Sequence, residues 1–191
     1  MKSIFLLSAS IFFLLTGCRS IKPAAGINKS INPEPVSVTD SVPSQINFSD
    51  PATWIIGYFD PGRLLQEPYS TWYRIGFDDY QFNSDAVNTL MDKNKTGISI
   101  KIVMGTWCPD SRREVPRIMR ILDIWQFPLS GVTFIGVDDT KLSPVSDYNK
   151  LDIQRVPTFI IYKNNIEAGR IIENPVTSLE QDIVNILVRN E

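Results

Sequence analysis

Histidine is absent from all 191 residues of the chain, and cysteine occurs only twice, as Cys18 and Cys108. The missing histidine excludes Ser-His-Asp hydrolysis, Cys-His proteolysis and any histidine general base. With no imidazole and only two thiols, we expect neither a metal site nor another cofactor. A net charge of −2 gives no general attraction for nucleic acid, so no nucleic-acid partner is expected.

The N-terminal residues have the pattern of a targeting sequence. A short basic start, MKS, precedes the apolar run IFLLSASIFFLL, which is too short for a comfortable membrane span. The run leads into LTGC, which ends at Cys18 and resembles the cleavage site of bacterial lipoproteins. The resemblance implies removal of residues 1–17 and a lipid anchor on Cys18. The implied location is the bacterial cell envelope, on the periplasm-facing side of the outer membrane. An ordinary secretory signal and an uncleaved anchor are the alternatives.

Composition divides the remaining chain into a tether and a domain. Residues 18–49 are rich in Ser, Pro, Asn and Lys, with Phe48 as their only aromatic residue, and predict a flexible tether. At Asp50 the composition changes, and residues 50–191 are predicted to form one domain. Nine aromatic residues lie between Trp54 and Phe82. Two interpretations of them stay open: packing over a sheet face, or an aromatic wall beside the reactive site.

Hydrophobic periodicity predicts an α/β fold. Residues 98–104 and 132–137 are predicted strands around a helix at 110–125, which is typical of a parallel crossover. A short helix is predicted at 84–94, with Ser84 as its N-cap. Residues 158–162 and 168–172 are predicted to form a hairpin around Asn164-Asn165, and Ser178 begins a capping box for a final helix.

Cys108 lies where the first predicted strand gives way to the helix. At a helix N-terminus, unpaired backbone N–H groups and the helix dipole favour thiolate over thiol. Pro109 suits the first helical position. The carboxylate of Asp110 opposes the thiolate, and Arg112 and Arg113 are expected to offset that carboxylate. A buried, inert cysteine that caps the helix is the structural alternative.

The order of these elements and several motifs resemble the thioredoxin family. The matching positions are Trp107-Cys108-Pro109, Pro116 eight residues after the cysteine, and Arg155-Val156-Pro157-Thr158. The resemblance covers residues 98–188, and residues 50–97 match only in part. It implies a thioredoxin-like fold with a central mixed sheet, flanking helices and an N-terminal extension.

The resemblance also implies roles for individual residues. Cys108 is the implied catalytic thiol, with Ser111 at the position of a second cysteine. The Val156–Pro157 bond is implied to be cis, and the backbone of Val156 to pair with an extended substrate. The implied substrate-binding residues are Trp107, Pro109, Val156 and Pro157.

Two departures from the family limit the expected chemistry. Ser111 cannot attack a mixed disulfide as a second thiol would, although its hydroxyl is expected to hydrogen-bond to the Cys108 thiolate. Ile102 lies six residues before the cysteine, where many thioredoxins have a buried aspartate. With Cys18 lipidated, no intramolecular disulfide can form, and a general disulfide reductase is not expected.

Two functions therefore stay open. In the first, Cys108 is a working monothiol that forms mixed disulfides or isomerises them. Its partners are then envelope proteins with cysteines, or an external thiol reductant. In the second, the chain is a redox-inactive module that binds peptides or proteins. Arg113, Arg117 and Arg120 lie near one helix face, which is either a solvated surface or a site for an anionic, glutathione-like ligand.

Overall fold

A computed structural model of the chain describes residues 46–189. Cys18, the signal sequence and most of the predicted tether lie outside those residues. No helix among residues 46–189 has both the length and the apolar character needed to cross a membrane. The strands are β1 (Gly57–Phe59), β2 (Ile98–Met104), β3 (Val132–Gly136), β4 (Thr158–Lys163) and β5 (Ile166–Ile172). The α-helices are α1 (Ser70–Asp78), α2 (Ser84–Met91), α3 (Pro109–Ile124) and α4 (Leu179–Val188).

The strands form one mixed sheet in the order β1-β3-β2-β4-β5. Strands β2 and β3 are parallel, and the other neighbours are antiparallel. In the central strand, Ile102 lies opposite Phe134 on one side and Phe159 on the other, and all three side chains are buried. The α/β class and the parallel β2-α3-β3 crossover are confirmed.

Helix α3 packs its apolar face on the sheet, as its periodicity predicts. The five residues of the predicted stripe are all buried: Val115, Ile118, Met119, Leu122 and Trp125. Helix α1 packs against α3. The two helices approach closely at Gly76, where an added Cβ would lie 2.5 Å from Cγ of Pro116. The proline inside α3 therefore faces a residue without a side chain.

Most of the aromatic segment packs into the core. The Phe59 ring meets Phe134 edge-on with centroids 5.2 Å apart, and Tyr69 and Tyr73 are buried. Trp54 instead lies beside Trp107, with ring centroids 6.4 Å apart. Packing over the sheet is therefore confirmed for Phe59, Tyr69 and Tyr73, whereas Trp54 lies beside the loop of residues 105–108, called the cysteine loop below.

Two local predictions were wrong. Asn83, not Ser84, is the N-cap of α2, because its side chain accepts hydrogen bonds from the N–H groups of Asp85 and Ala86. The same helix ends at Met91, three residues before the predicted end at Asn94. The Asn164-Asn165 turn is confirmed, with φ of 52° and 65°.

Candidate functional site

Cys108 is the N-cap of α3, in extended backbone geometry with φ of −78° and ψ of 121°. Pro109 begins the helix, and the Cys108 carbonyl accepts the first helical bond from the Arg112 N–H at 3.1 Å. The Cys108 side chain makes no capping bond to the helix and is 7% exposed. The predicted position of the thiol is therefore confirmed, although it is more enclosed than an open junction implies.

The loop before β4 faces the thiol. Sγ of Cys108 lies 3.3 Å from the carbonyl oxygen of Val156, to which the thiol donates a hydrogen bond. The Val156–Pro157 peptide bond is cis, as predicted. The carbonyl oxygen before cis-Pro157 therefore lies directly against the Cys108 sulfur.

Ser111 is 0% exposed, and its Oγ accepts a hydrogen bond from the Gly105 N–H at 3.3 Å. Within residues 46–189 it makes no hydrogen bond to Cys108, so the expected bond between hydroxyl and sulfur is absent there. The physical reason is that the Gly105 N–H is buried and needs an acceptor. Ser111 thus holds the cysteine loop rather than the sulfur.

Trp107 lies on the rim of the site. Its Nε1–H donates to the carbonyl of Val137 at 3.0 Å. The indole folds over Gly105, where an added Cβ would lie 2.5 Å from the ring. Pro109, the neighbouring predicted contact, is exposed. These two residues and Val156 surround Cys108, so the structure brings the predicted site residues together.

The cysteine also belongs to a small apolar cluster on the second face of the sheet. Its buried members are Val103, Cys108, Ile135, Val137, Tyr148 and Val156. The Tyr148 hydroxyl donates to the carbonyl of Lys141 at 2.8 Å. Burial, and secondly the charge of Asp138, raises the pKa of Tyr148 to about 12, so this phenol is neutral at physiological pH.

Sequence reasoning missed the contribution of the residues before β1. Oγ1 of Thr106 donates to the Thr53 carbonyl at 3.0 Å and accepts from the Ile55 N–H at 3.3 Å. Trp54 lies between these two residues and packs on Trp107. The cysteine loop is therefore hydrogen-bonded to a segment about 50 residues earlier in the chain.

Arg112 folds back from the first turn of α3 onto the same loop. Its Nη1 donates to the carbonyls of Thr106 at 3.2 Å and Trp107 at 3.3 Å. The guanidinium lies 4.6 Å from the centroid of the Phe48 ring, a cation–π distance. Burial lowers the pKa of Arg112 below its ordinary value, and the charge of Cys108 acts in the opposite direction.

The other arginines of α3 have carboxylate partners. Glu114 is 2% exposed and accepts from Arg113 Nε at 2.6 Å and Arg117 Nη1 at 2.9 Å. Arg113 also pairs with Asp110 at 2.7 Å, and Arg120 pairs with Asp123 at 3.3 Å. A ligand at Arg113 and Arg117 would therefore compete with a buried carboxylate, which favours a structural role for that pair.

Comparison with known proteins adds little to this geometry. No family model matches the sequence, and no curated protein matches it. Among solved structures, the chain is similar to a 1.5 Å crystal structure of a protein of unknown function from Pseudomonas aeruginosa. The two are 12% identical, with a TM-score of 0.46, over 70% of this chain and 91% of that chain. The function proposed below therefore depends on the site.

Proposed function

We propose that the chain is a lipid-anchored, thioredoxin-like envelope protein that exchanges disulfides through Cys108 alone. The observation that carries the proposal is the 3.3 Å contact between Cys108 Sγ and the residue before cis-Pro157. The β2-α3-β3 crossover, the β4-β5 hairpin and the closing α4 support a thioredoxin-like fold, because they place that thiol at a helix N-terminus opposite the proline loop.

The reaction needs one thiolate. Cys108 attacks one sulfur of a disulfide, so that a mixed disulfide forms and the other sulfur leaves as a thiolate that takes a proton from water. The number of disulfide bonds does not change. An external thiol then resolves the adduct, or the substrate's own second thiol does so and completes an isomerisation. Ser111 supplies no resolving thiol, so the partners are cysteine-containing envelope proteins or an external thiol reductant.

The Val156 backbone is suited to hold such a partner. Among residues 46–189, no group accepts a hydrogen bond from the Val156 N–H. An extended segment can pair with it once the thiol releases the Val156 carbonyl. Trp107 and Pro109 would then contact the side chains beside the scissile disulfide.

A second candidate is a peptide-binding module without redox chemistry. The 7% exposure of Cys108 favours this alternative, because an incoming disulfide has little access to the sulfur. In that case the same groove binds an extended segment, and the thiol is dispensable for binding.

The two candidates differ in the reactivity of the native thiol. In the full-length Cys18→Ser chain in detergent, Cys108 is the only thiol, and we expect it to form a stoichiometric mixed disulfide with glutathione disulfide at pH 7. The rate should exceed that of the urea-unfolded chain by about threefold to tenfold. A threefold to tenfold gain corresponds to about 0.7–1.4 kcal/mol, which the N–H groups and the dipole at the N-terminus of α3 can supply to the attacking sulfur.

Adduct mass and stopped-flow absorbance measure this reaction, and Cys108→Ala is the blank. A thiol that reacts only after unfolding would exclude exchange and leave the binding module.

The anchor has a separate test, because Cys18 lies outside the described residues. In a bacterial host, we expect palmitate label on the wild-type protein and a lipid mass on a peptide that begins at Cys18. Both should be lost in Cys18→Ala and retained in Cys108→Ala. An unlabelled wild-type protein that keeps residues 1–17 would instead identify an uncleaved anchor.

A further inference from the structure

We propose that Arg112 sets the charge selectivity of Cys108, and that the preferred substrates are disulfides with a carboxylate close to the sulfur. The inference rests on the proposed exchange function and names its substrate class. The inference is based on the ion pairs around the first turn of α3, because they leave Arg112 without a carboxylate partner.

Within residues 46–189, the other charged residues in the first turn of α3 are ion-paired, and so is Arg155 beside Val156. On α3, Asp110 pairs with Arg113 at 2.7 Å. On the facing loop, Arg155 pairs with Glu173 at 2.8 Å. Arg112 meets no carboxylate within residues 46–189, since its protein acceptors are two carbonyls. Within residues 46–189, the first turn of α3 therefore carries one cation without a carboxylate partner.

The guanidinium of Arg112 keeps donors available for a ligand. A guanidinium has five N–H donors, and Nη1 makes both carbonyl bonds. Nε and Nη2 have no acceptor in the described part of the chain. The Phe48 ring and the carbonyls of Thr106 and Trp107 hold the group in one place. A fixed guanidinium edge with free donors matches the geometry of a carboxylate.

In the exchange step, the Cys108 thiolate forms a bond to one substrate sulfur while the substrate S–S bond breaks. The second sulfur departs with the electron pair as an anion and takes a proton from water. Arg112 acts twice in this step. It attracts the substrate carboxylate before attack, and it lowers the energy of the negative charge that passes between the sulfurs. Both glutathione disulfide and a disulfide of an acid-flanked cysteine peptide carry the required chemistry.

Paired reagents that differ only in charge test the inference. In the full-length Cys18→Ser chain, Cys108 is alkylated with anionic iodoacetate and neutral iodoacetamide, and the ratio of the two rates cancels changes in access. We expect Arg112→Met to lower that ratio about fivefold, since the cation bonded to the carbonyl of Trp107, the residue before Cys108, is lost. Arg112→Lys should retain the ratio because it retains the charge.

Disulfide substrates form the second arm. The rate with glutathione disulfide, relative to cationic cystamine, should fall several-fold in Arg112→Met. It should also fall in Arg112→Lys, because lysine lacks the paired N–H donors that a guanidinium presents to a carboxylate. A disulfide of a short peptide with acidic residues beside its cysteine distinguishes protein substrates from small-thiol substrates. Faster reaction than with glutathione disulfide indicates protein substrates, and slower reaction indicates a small thiol.

Arg120→Met is the matched control. Arg120 lies on the same helix, with its guanidinium 5.2 Å from the Phe77 ring, and pairs with Asp123. Both ratios should be unchanged in that variant. Unchanged ratios in Arg112→Met would overturn the inference while leaving exchange intact. If Cys108 reacted with no disulfide, the proposed exchange function would fail. The alkylation ratio would still show whether Arg112 makes Cys108 prefer the anionic reagent.

Discussion

Ser111→Cys is expected to convert the chain into a dithiol reductase, with insulin reduction by dithiothreitol faster than wild type on the order of a hundredfold. The gain comes from resolution of the mixed disulfide. A second thiol in the same molecule acts at an effective concentration far above that of a millimolar external thiol. The measured quantity is the initial rate of insulin precipitation at equal protein concentration.

The first turn of α3 is suited to a disulfide between Cys108 and a new thiol at position 111. Residues three apart on a helix lie on one face with Cβ atoms about 5–6 Å apart, so a modest shift closes a disulfide. Ser111 is buried against the Gly105 N–H, and a thiol is a weaker acceptor than a hydroxyl. We therefore expect a small loss of stability beside the large gain in turnover.

Ser111→Ala is the control for that gain, since it removes the hydroxyl without adding a thiol. It should give no gain over the low wild-type rate, although the Gly105 N–H loses its acceptor. If the wild type already turned over as fast as Ser111→Cys, the missing thiol would not be what limits the chemistry.

Gly136→Ala is expected to lower the free energy of unfolding by roughly 1–3 kcal/mol, the usual cost of overpacking, or more. An added Cβ would lie 2.0 Å from the carbonyl oxygen of Ile55 and 2.7 Å from its carbonyl carbon. These are backbone atoms that cannot rotate aside, so β1 and the residues before it must move. Urea unfolding measures the loss.

The same displacement should reach the site, because the Ile55 N–H donates to Oγ1 of Thr106 in the cysteine loop. Gly169→Ala is the matched control, since its added Cβ would lie 3.0 Å from Cγ1 of Ile186, a side chain that can adjust. We expect Gly169→Ala to lower the free energy of unfolding by clearly less than Gly136→Ala does. Equal losses in the two variants would contradict the assignment of the cost to backbone overlap at Ile55.

The elements that the sequence predicted well are those with local signals. Strand β2 matches its prediction residue for residue, and α3 begins and ends one residue earlier than predicted. An alternating or 3.6-residue apolar pattern is complete within each segment, and the Asn164-Asn165 turn carries its own backbone preference.

Strand β1 and helix α1 had no comparable signal. Strand β1 has three residues and exists through its pairing with β3, more than 70 residues later in the chain. Helix α1 has no side-chain hydrogen bond at its N-cap, and its nine residues include three aromatics that also suit strands. Pairing and packing partners, which local patterns do not contain, decide both elements.

The site was predicted in part. The approach of Cys108 to Val156 follows from the motif order that resembles thioredoxins. The hydrogen bond of Ser111 to Gly105 could not be predicted, because it depends on a buried N–H in the loop conformation. The contact between Phe48 and Arg112 had one weak signal, a single aromatic residue within a polar segment.

That contact also decides where the chain can be shortened. A recombinant fragment begun at Asp50, where the composition changes, would lack Phe48 and leave one face of the Arg112 guanidinium bare to water. An affinity tag joined at that point would come to lie beside the arginine in place of the ring. Fragments intended for thiol assays should therefore begin at or before Ile46 and carry their tags at the C-terminus.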